Sequence, residues 1–430
     1  MIFNVCLLFL TNILIFQPEF VNINKEVIFL IKREEYLSKL NKFKNKDLIK
    51  VVSGIRRSGK STLFQLFIDD LKLSGVTDNQ IITINFENPD FRHLATDPFA
   101  LYDHIKTLID DKQNYYIFLD EIQEVKAFEK AVDGLYLKKN LDIYITGSNA
   151  YFLSGELATY LTGRYITIEI LPLSFNEFLA GVVEAKPNLS SEQYYVEYLK
   201  SAFPYALYLE TDEEKRIYLS SLIDTILLND VVPRVSATNV SLLKRILSFL
   251  FDSIGSEISI NKIATVLSNR GEGKVYPKMV DKYLQGLLDA LLLYKASRYD
   301  LKGKQILLGN EKYYAVDEGL RKVMLGNSKN DTGHILENIV FLELKRRGYE
   351  VFVGKIGDYE IDFVARNDDK LEYYQVAATV LDSNTLAREL RPFEELRDGY
   401  QRFLLTLDVI GAGSNYDGVK QVNVLEWLRS

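Results

Sequence analysis

The chain reads as α/β: a parallel sheet carrying a phosphate-binding loop, then a helical lid, a winged helix and a further α/β domain. Three observations carry this. Residues 54–61, Gly54-Ile55-Arg56-Arg57-Ser58-Gly59-Lys60-Ser61, follow the pattern G-x-x-x-x-G-K-[ST]. Residues 115–121, Tyr115-Tyr116-Ile117-Phe118-Leu119-Asp120-Glu121, form an apolar run ending in two acids. Between positions 31 and 180, short apolar runs at 48–53, 81–86, 115–120, 142–147 and 165–170 alternate with helical spacing, which specifies a parallel sheet.

The loop pattern alone arises by chance roughly once in 70 chains of this length, so its flanks matter. Leu48 to Val52 reads as a buried strand, and Thr62 to Phe67 carries helical spacing. Gly54 and Gly59 permit backbone angles that other residues resist. Arg57, Ser58, Gly59, Lys60, Ser61 and Thr62 would then line the nucleotide phosphates, with loop amides and a helix N-terminus aimed at them. Lys60 would reach the β- and γ-phosphates, and Ser61 would ligate Mg²⁺. Asp120 is expected to hold Mg²⁺ through water, and Glu121 to act as general base on the attacking water. Leu141 to Asn149 is another strand ending in small polar residues; Ser148 or Asn149 would sense the γ-phosphate or orient the water. Phe86-Glu87 ends the second strand, where its carboxylate either approaches the site or simply terminates the strand.

Bulk properties bound the rest. A chain of 430 residues suggests two to four domains. The net charge of −7 argues against a globally basic nucleic-acid binder, so any such face is local. A single cysteine, Cys6, leaves no disulfide framework and fits a reducing, cytoplasmic location. His93, His104 and His334 with one cysteine give no zinc cluster. Met1 to Phe16 is strongly apolar, but no Lys or Arg precedes Lys25 and Gln17-Pro18-Glu19-Phe20 follows. Residues 1–30 are therefore expected to be a nonessential extension rather than a stable membrane anchor.

With these motifs in place, the chain resembles the AAA-type, archaeal-ATPase-like proteins, in which an AAA core is fused to a restriction-endonuclease-like domain. The matching stretches are Gly54 to Thr62, Phe118 to Gln123, Thr146 to Asn149, Leu161 to Tyr165, Leu171 to Phe178 and Gly357 to Val364. The resemblance implies an ATPase core over 31–180, with ATP and Mg²⁺ as ligands. It also implies that Arg164 stabilises transition-state charge, in cis or across a subunit contact. Residues 181–238, helical with acidic faces and interrupted at Pro187 and Pro204, would be the lid; Asp230 to Arg234 closes it.

Residues 239–320 read as a separate unit: a short helix from Ile258, a glycine-rich turn, a longer helix from Tyr276 and two strands, which is a winged-helix pattern. Residues 240–312 hold 12 Lys and Arg against 7 Asp and Glu. Lys274, Lys278, Lys282, Arg298, Lys302 and Lys304 are the expected phosphate contacts on DNA; the alternative is a protein-binding face with solvated charge. Residues 330–430 form the last domain. The resemblance places Glu337, Asp362 and Gln375 at a restriction-endonuclease-like site, with Ala377 where a lysine belongs. Glu337 and Asp362 would hold a second, weak metal ion, and without the lysine the domain is expected to be an inactive remnant. The reading is an Mg²⁺-dependent ATPase acting on or near DNA. The alternatives are an ATP-dependent switch that recruits a protein partner or self-associates, and an ATP-regulated nuclease.

Overall fold

The computed structural model describes residues 19–23, 26–148, 161–183, 186–269, 273–326, 331–368 and 370–430. Within the N-terminal extension, β1 (Glu19–Ile23) and β2 (Glu26–Leu30) pair as an antiparallel hairpin. No described helix is long and apolar enough to cross a membrane.

The first large unit is a five-stranded parallel sheet of β3 (Ile49–Gly54), β4 (Ile81–Asn85), β5 (Tyr115–Asp120), β6 (Leu141–Gly147) and β7 (Tyr165–Ile170). The order is β4-β5-β6-β3-β7. All five expected strands form, to within a residue or so at their ends. Strands β3 and β5 are buried along their whole length, as a sheet covered on both faces requires. On one face, Phe64 and Phe67 of the helix Lys60–Leu73 set their edges against Phe118 of β5, at 5.1 and 6.2 Å between centroids. Phe118 in turn stacks on Tyr144 of β6 at 4.8 Å. On the other face, Ile105, Phe128, Val132 and Leu135 cover Ile117, Leu119, Ile143 and Ile145. Burying such aromatic and branched side chains contributes about 1.5–3 kcal/mol each.

The second half packs around a large core, with a smaller one between the strands of the last hundred residues and the helix Ser383–Glu394. Helices Phe175–Val182, Ser191–Tyr198 and Asp212–Ile226 lead into Val240–Asp252, Ile260–Asn269 and Pro277–Asp289. A hairpin of β8 (Leu293–Asp300) and β9 (Gln305–Ala315) follows. The last residues supply helix Thr332–Arg346 and strands β10 (Glu350–Ile356), β11 (Tyr359–Asn367), β12 (Lys370–Ala377), β13 (Gln401–Thr406), β14 (Asn415–Tyr416) and β15 (Val419–Asn423). The expectation of separate units over 239–320 and 330–430 needs correction here. Strand β8 pairs in parallel with β10, giving one eight-stranded sheet ordered β14-β15-β13-β12-β11-β10-β8-β9. Edge pairing satisfies backbone groups that a free hairpin would leave open.

Candidate functional site

The loop, the two acids and the end of β6 meet at the C-terminal edge of the parallel sheet. Strand β6 lies between β3 and β5, so Ser148 stands between the loop and the acids. Gly54 is required by close approach: a Cβ there would stand 2.4 Å from the Ile170 carbonyl oxygen of β7. Gly59 takes a left-handed φ of 99° where the loop enters the helix Lys60–Leu73. Arg57 also has positive φ, 68°, with its side chain exposed. Ser61 and Thr62 are exposed on the helix's first turn. Beneath the loop, Arg33 is buried, donating to Ser58 O at 3.1 Å, Leu171 O at 2.8 Å and Glu177 Oε1 at 2.8 Å.

Lys60 is buried and donates to Gly54 O and Ile55 O at 3.1 and 3.4 Å, with Glu121 Oε1 3.5 Å away. Asp120 accepts from Thr146 Oγ1 and, at 3.1 Å, from Asn85 Nδ2. Thr146 Oγ1 also receives the Glu121 amide at 2.9 Å. Glu121 sits at a left-handed φ of 53°, a strained setting for a non-glycine residue at a functional position. Burial pushes its carboxyl up, but Lys60, Gln123 and Arg56 outweigh this and hold it below the ordinary glutamate value. It is therefore ionised and able to accept a proton.

Arg56 donates to both oxygens of Asp230, at 3.0 and 3.2 Å, and to Glu87 Oε1 at 3.2 Å. Asp230 is buried on a π-helical turn, Leu227–Val231. Burial raises its carboxyl above the ordinary aspartate range despite Arg56. Thus the turn Leu227–Val231 meets the phosphate loop through an ion pair, and Glu87 does approach the site. Arg33, Arg56, Asn85 and Asp230 carry no local signal of these roles, because their partners are remote in the chain.

The donor set fits a nucleotide triphosphate with a divalent ion. The Oγ atoms of Ser58, in the loop, and Ser148, after β6, are buried without a hydrogen-bond partner among the described residues. Unpaired buried hydroxyls are uncommon and imply an absent partner.

Other expected residues are placed differently. Asn149 lies outside the described residues. Arg164 precedes β7, whose six residues span ~20 Å, and its carbonyl accepts from Ile49 N at the start of β3. It is therefore at the opposite edge from the loop, ion-paired with Asp133 and over the Tyr136 ring. A role in cis is excluded by that distance. Lys274, Lys278, Lys282 and Lys304 are exposed, whereas Arg298 is paired with Glu257 at 3.1 Å and Lys302 lies 3.6 Å from Glu395. The expected metal pair also differs: Lys312 Nζ and Tyr314 OH both occupy Glu337 Oε1, at 3.1 and 2.6 Å. Among the described residues, no group of three or more acidic, histidine or cysteine side chains is arranged to hold a metal ion.

A five-stranded parallel sheet with this loop and these acids defines an AAA-type P-loop core. Residues 46–179 match the family described as AAA domain, and residues 191–331 match one described as a domain of unknown function. An uncharacterized protein of Haemophilus influenzae is 38% identical over 411 residues, covering 93% of this chain and 98% of its own. One from Methanocaldococcus jannaschii is 33% identical over 396 residues, covering 87% of this chain and 86% of its own. The chain belongs to the family of these two proteins. Among solved structures, the Walker-type ATPase of Pyrococcus abyssi is similar at a TM-score of 0.47 and 17% identity, over 68% of this chain and 95% of that one.

Proposed function

We propose that the protein binds and hydrolyses ATP with Mg²⁺ at the C-terminal edge of its parallel sheet. The observation that carries this is the buried Lys60–Glu121 pair at 3.5 Å, with the orphaned Ser148 hydroxyl following the intervening strand β6. Lys60 and the loop amides of Arg57 to Thr62 hold the phosphates. Ser61 and Asp120 hold the Mg²⁺, which supplies charge neutralisation at the phosphates. Glu121 takes the proton of the attacking water as the γ-phosphoryl leaves ADP, and Ser148, with Asn149, orients that water. Arg56, whose charge acts on Glu121, contributes a cationic group from within the same chain. Arg164, half-buried at the far edge, serves only in a neighbouring copy's site. Such turnover suits the cytoplasm, where ATP is abundant.

The helices Val240–Asp252, Ile260–Asn269 and Pro277–Asp289 with the hairpin β8–β9 support a winged-helix reading. Lys274, Lys278, Lys282 and Lys304 are its available DNA contacts, and binding through them is salt-sensitive by counterion release. The protein-partner reading gains from one observation: Arg298 and Lys302 have acidic neighbours within the chain, which leaves a smaller basic face. ATP turnover with and without single- and double-stranded DNA decides between them. The DNA reading predicts stimulation that disappears when Lys278, Lys282 and Lys304 are reversed to glutamate together. Turnover indifferent to DNA and to that reversal favours the protein partner. Turnover that survives Lys60→Ala sinks the ATPase assignment itself.

A further inference from the structure

The acidic centre of the C-terminal unit lacks a lysine in its own pattern, since Ala377 occupies that position on β12. The fold supplies one from elsewhere. Strand β9 alternates its side chains, so Lys312 and Tyr314 point to one face. Because β8 is joined to β10, that face lies over the helix Thr332–Arg346 and β11. Lys312 is 4% exposed, with Nζ 3.1 Å from Glu337 Oε1 and 2.7 Å from Glu360 Oε1. Burial opposes its charge, but Glu337, Asp362 and Glu360 outweigh burial and keep it protonated.

Asp362 and Gln375 are engaged as well. Asp362 Oδ2 accepts the Val376 amide at 2.8 Å. Gln375, at the second acid's position, accepts from the Asp362 amide and donates to Glu389 at 2.8 Å. Burial and the Glu337 charge raise the Asp362 carboxyl well above its ordinary range. Divalent ions of the Mg²⁺ class need oxygens that are free to coordinate. This centre offers an aspartate oxygen already holding a backbone amide and a glutamate oxygen already holding an ammonium and a phenol. The divalent ion implied by a restriction-endonuclease-like site does not fit it.

We propose that the Lys312 ammonium is the resident cation of this centre, standing in place of a divalent ion and locking the hairpin to the C-terminal unit. The centre then needs no metal for its stability, and a metal site emerges only when the ammonium is removed. A buried carboxylate stripped of its partner is strongly unfavourable, so a vacated centre would recruit a divalent cation.

The test uses the full chain without nucleotide, with bound Mn²⁺ counted by electron paramagnetic resonance. Wild type and Asp362→Asn should take up equal Mn²⁺, because the phosphate-loop site is common to both. Greater uptake by wild type would overturn the proposal, since a divalent ion would then sit on Asp362 with the lysine present. Lys312→Met keeps the aliphatic stem and removes the charge. It should bind additional Mn²⁺ and show a Tm that rises with added Mn²⁺, both effects vanishing in Lys312→Met with Asp362→Asn. A folded Lys312→Met that gains no Mn²⁺ also overturns it. Should that variant fail to fold, the comparison of wild type with Asp362→Asn still decides.

Discussion

Replacing Glu121 with glutamine tests the proposed chemistry most directly. The amide keeps the side chain's shape and its contact with Gln123 while removing the proton acceptor. General-base loss lowers kcat by about 10²–10⁴-fold, equivalent to roughly 3–5 kcal/mol of barrier. The structure adds a second, opposite effect on binding. Glu121 draws Lys60 away from incoming phosphates at 3.5 Å. At an effective dielectric of about 20, that attraction is about 5 kcal/mol before desolvation. Desolvation of the buried pair offsets most of it, leaving a net gain of about one decade in affinity, ~1.4 kcal/mol. Phosphate release measures turnover, and calorimetry with a non-hydrolysable analogue measures affinity. The expected variant binds more tightly and turns over far more slowly. Unchanged turnover would refute the base assignment and move it to Glu87, which Arg56 already holds at the site. Weakened binding would show that the Lys60–Glu121 pair does not compete with nucleotide.

Two further outcomes follow from the same geometry. Lys60→Ala should abolish tight nucleotide binding, because Lys60 is the cation buried within the loop; calorimetric affinity equal to wild type would contradict this. In the second half of the chain, burial pushes Glu318 from its ordinary 4.5 up to about 7 despite Arg321. A carboxyl raised by folding contributes its stability below about pH 4.5 and loses it as pH climbs to about 7, a range worth roughly 3 kcal/mol. Glu318→Gln should therefore flatten the stability profile over that window and raise Tm at pH 8. The slope due to Asp317, which burial pushes up to about 6, should remain. An unaltered profile would mean that Glu318 stays ionised in the folded protein.

Contiguous pattern was enough for part of this molecule. The loop residues Gly54 to Ser61 and the acids Asp120 and Glu121 sit in runs whose periodicity and turn chemistry are local, so the five strands were legible in the sequence, as was the meeting of loop and acids at one sheet edge. Pairings across long separations were not. Arg56 meets Asp230 at a separation of 174 positions and Arg33 meets Glu177 at 144, and nothing in either neighbourhood encodes the other. For Arg164, its place before a strand was readable, but which edge of the sheet it occupies follows from strand direction. The hairpin was visible as two strands, yet its parallel pairing with β10 is a tertiary choice that merges two expected units and carries Lys312 onto Glu337. Local sequence sets which segments become strands and helices through side-chain period and backbone preference. Only the packed fold decides which buried charges face one another, because that depends on strand order and on the desolvation that every buried charge must offset.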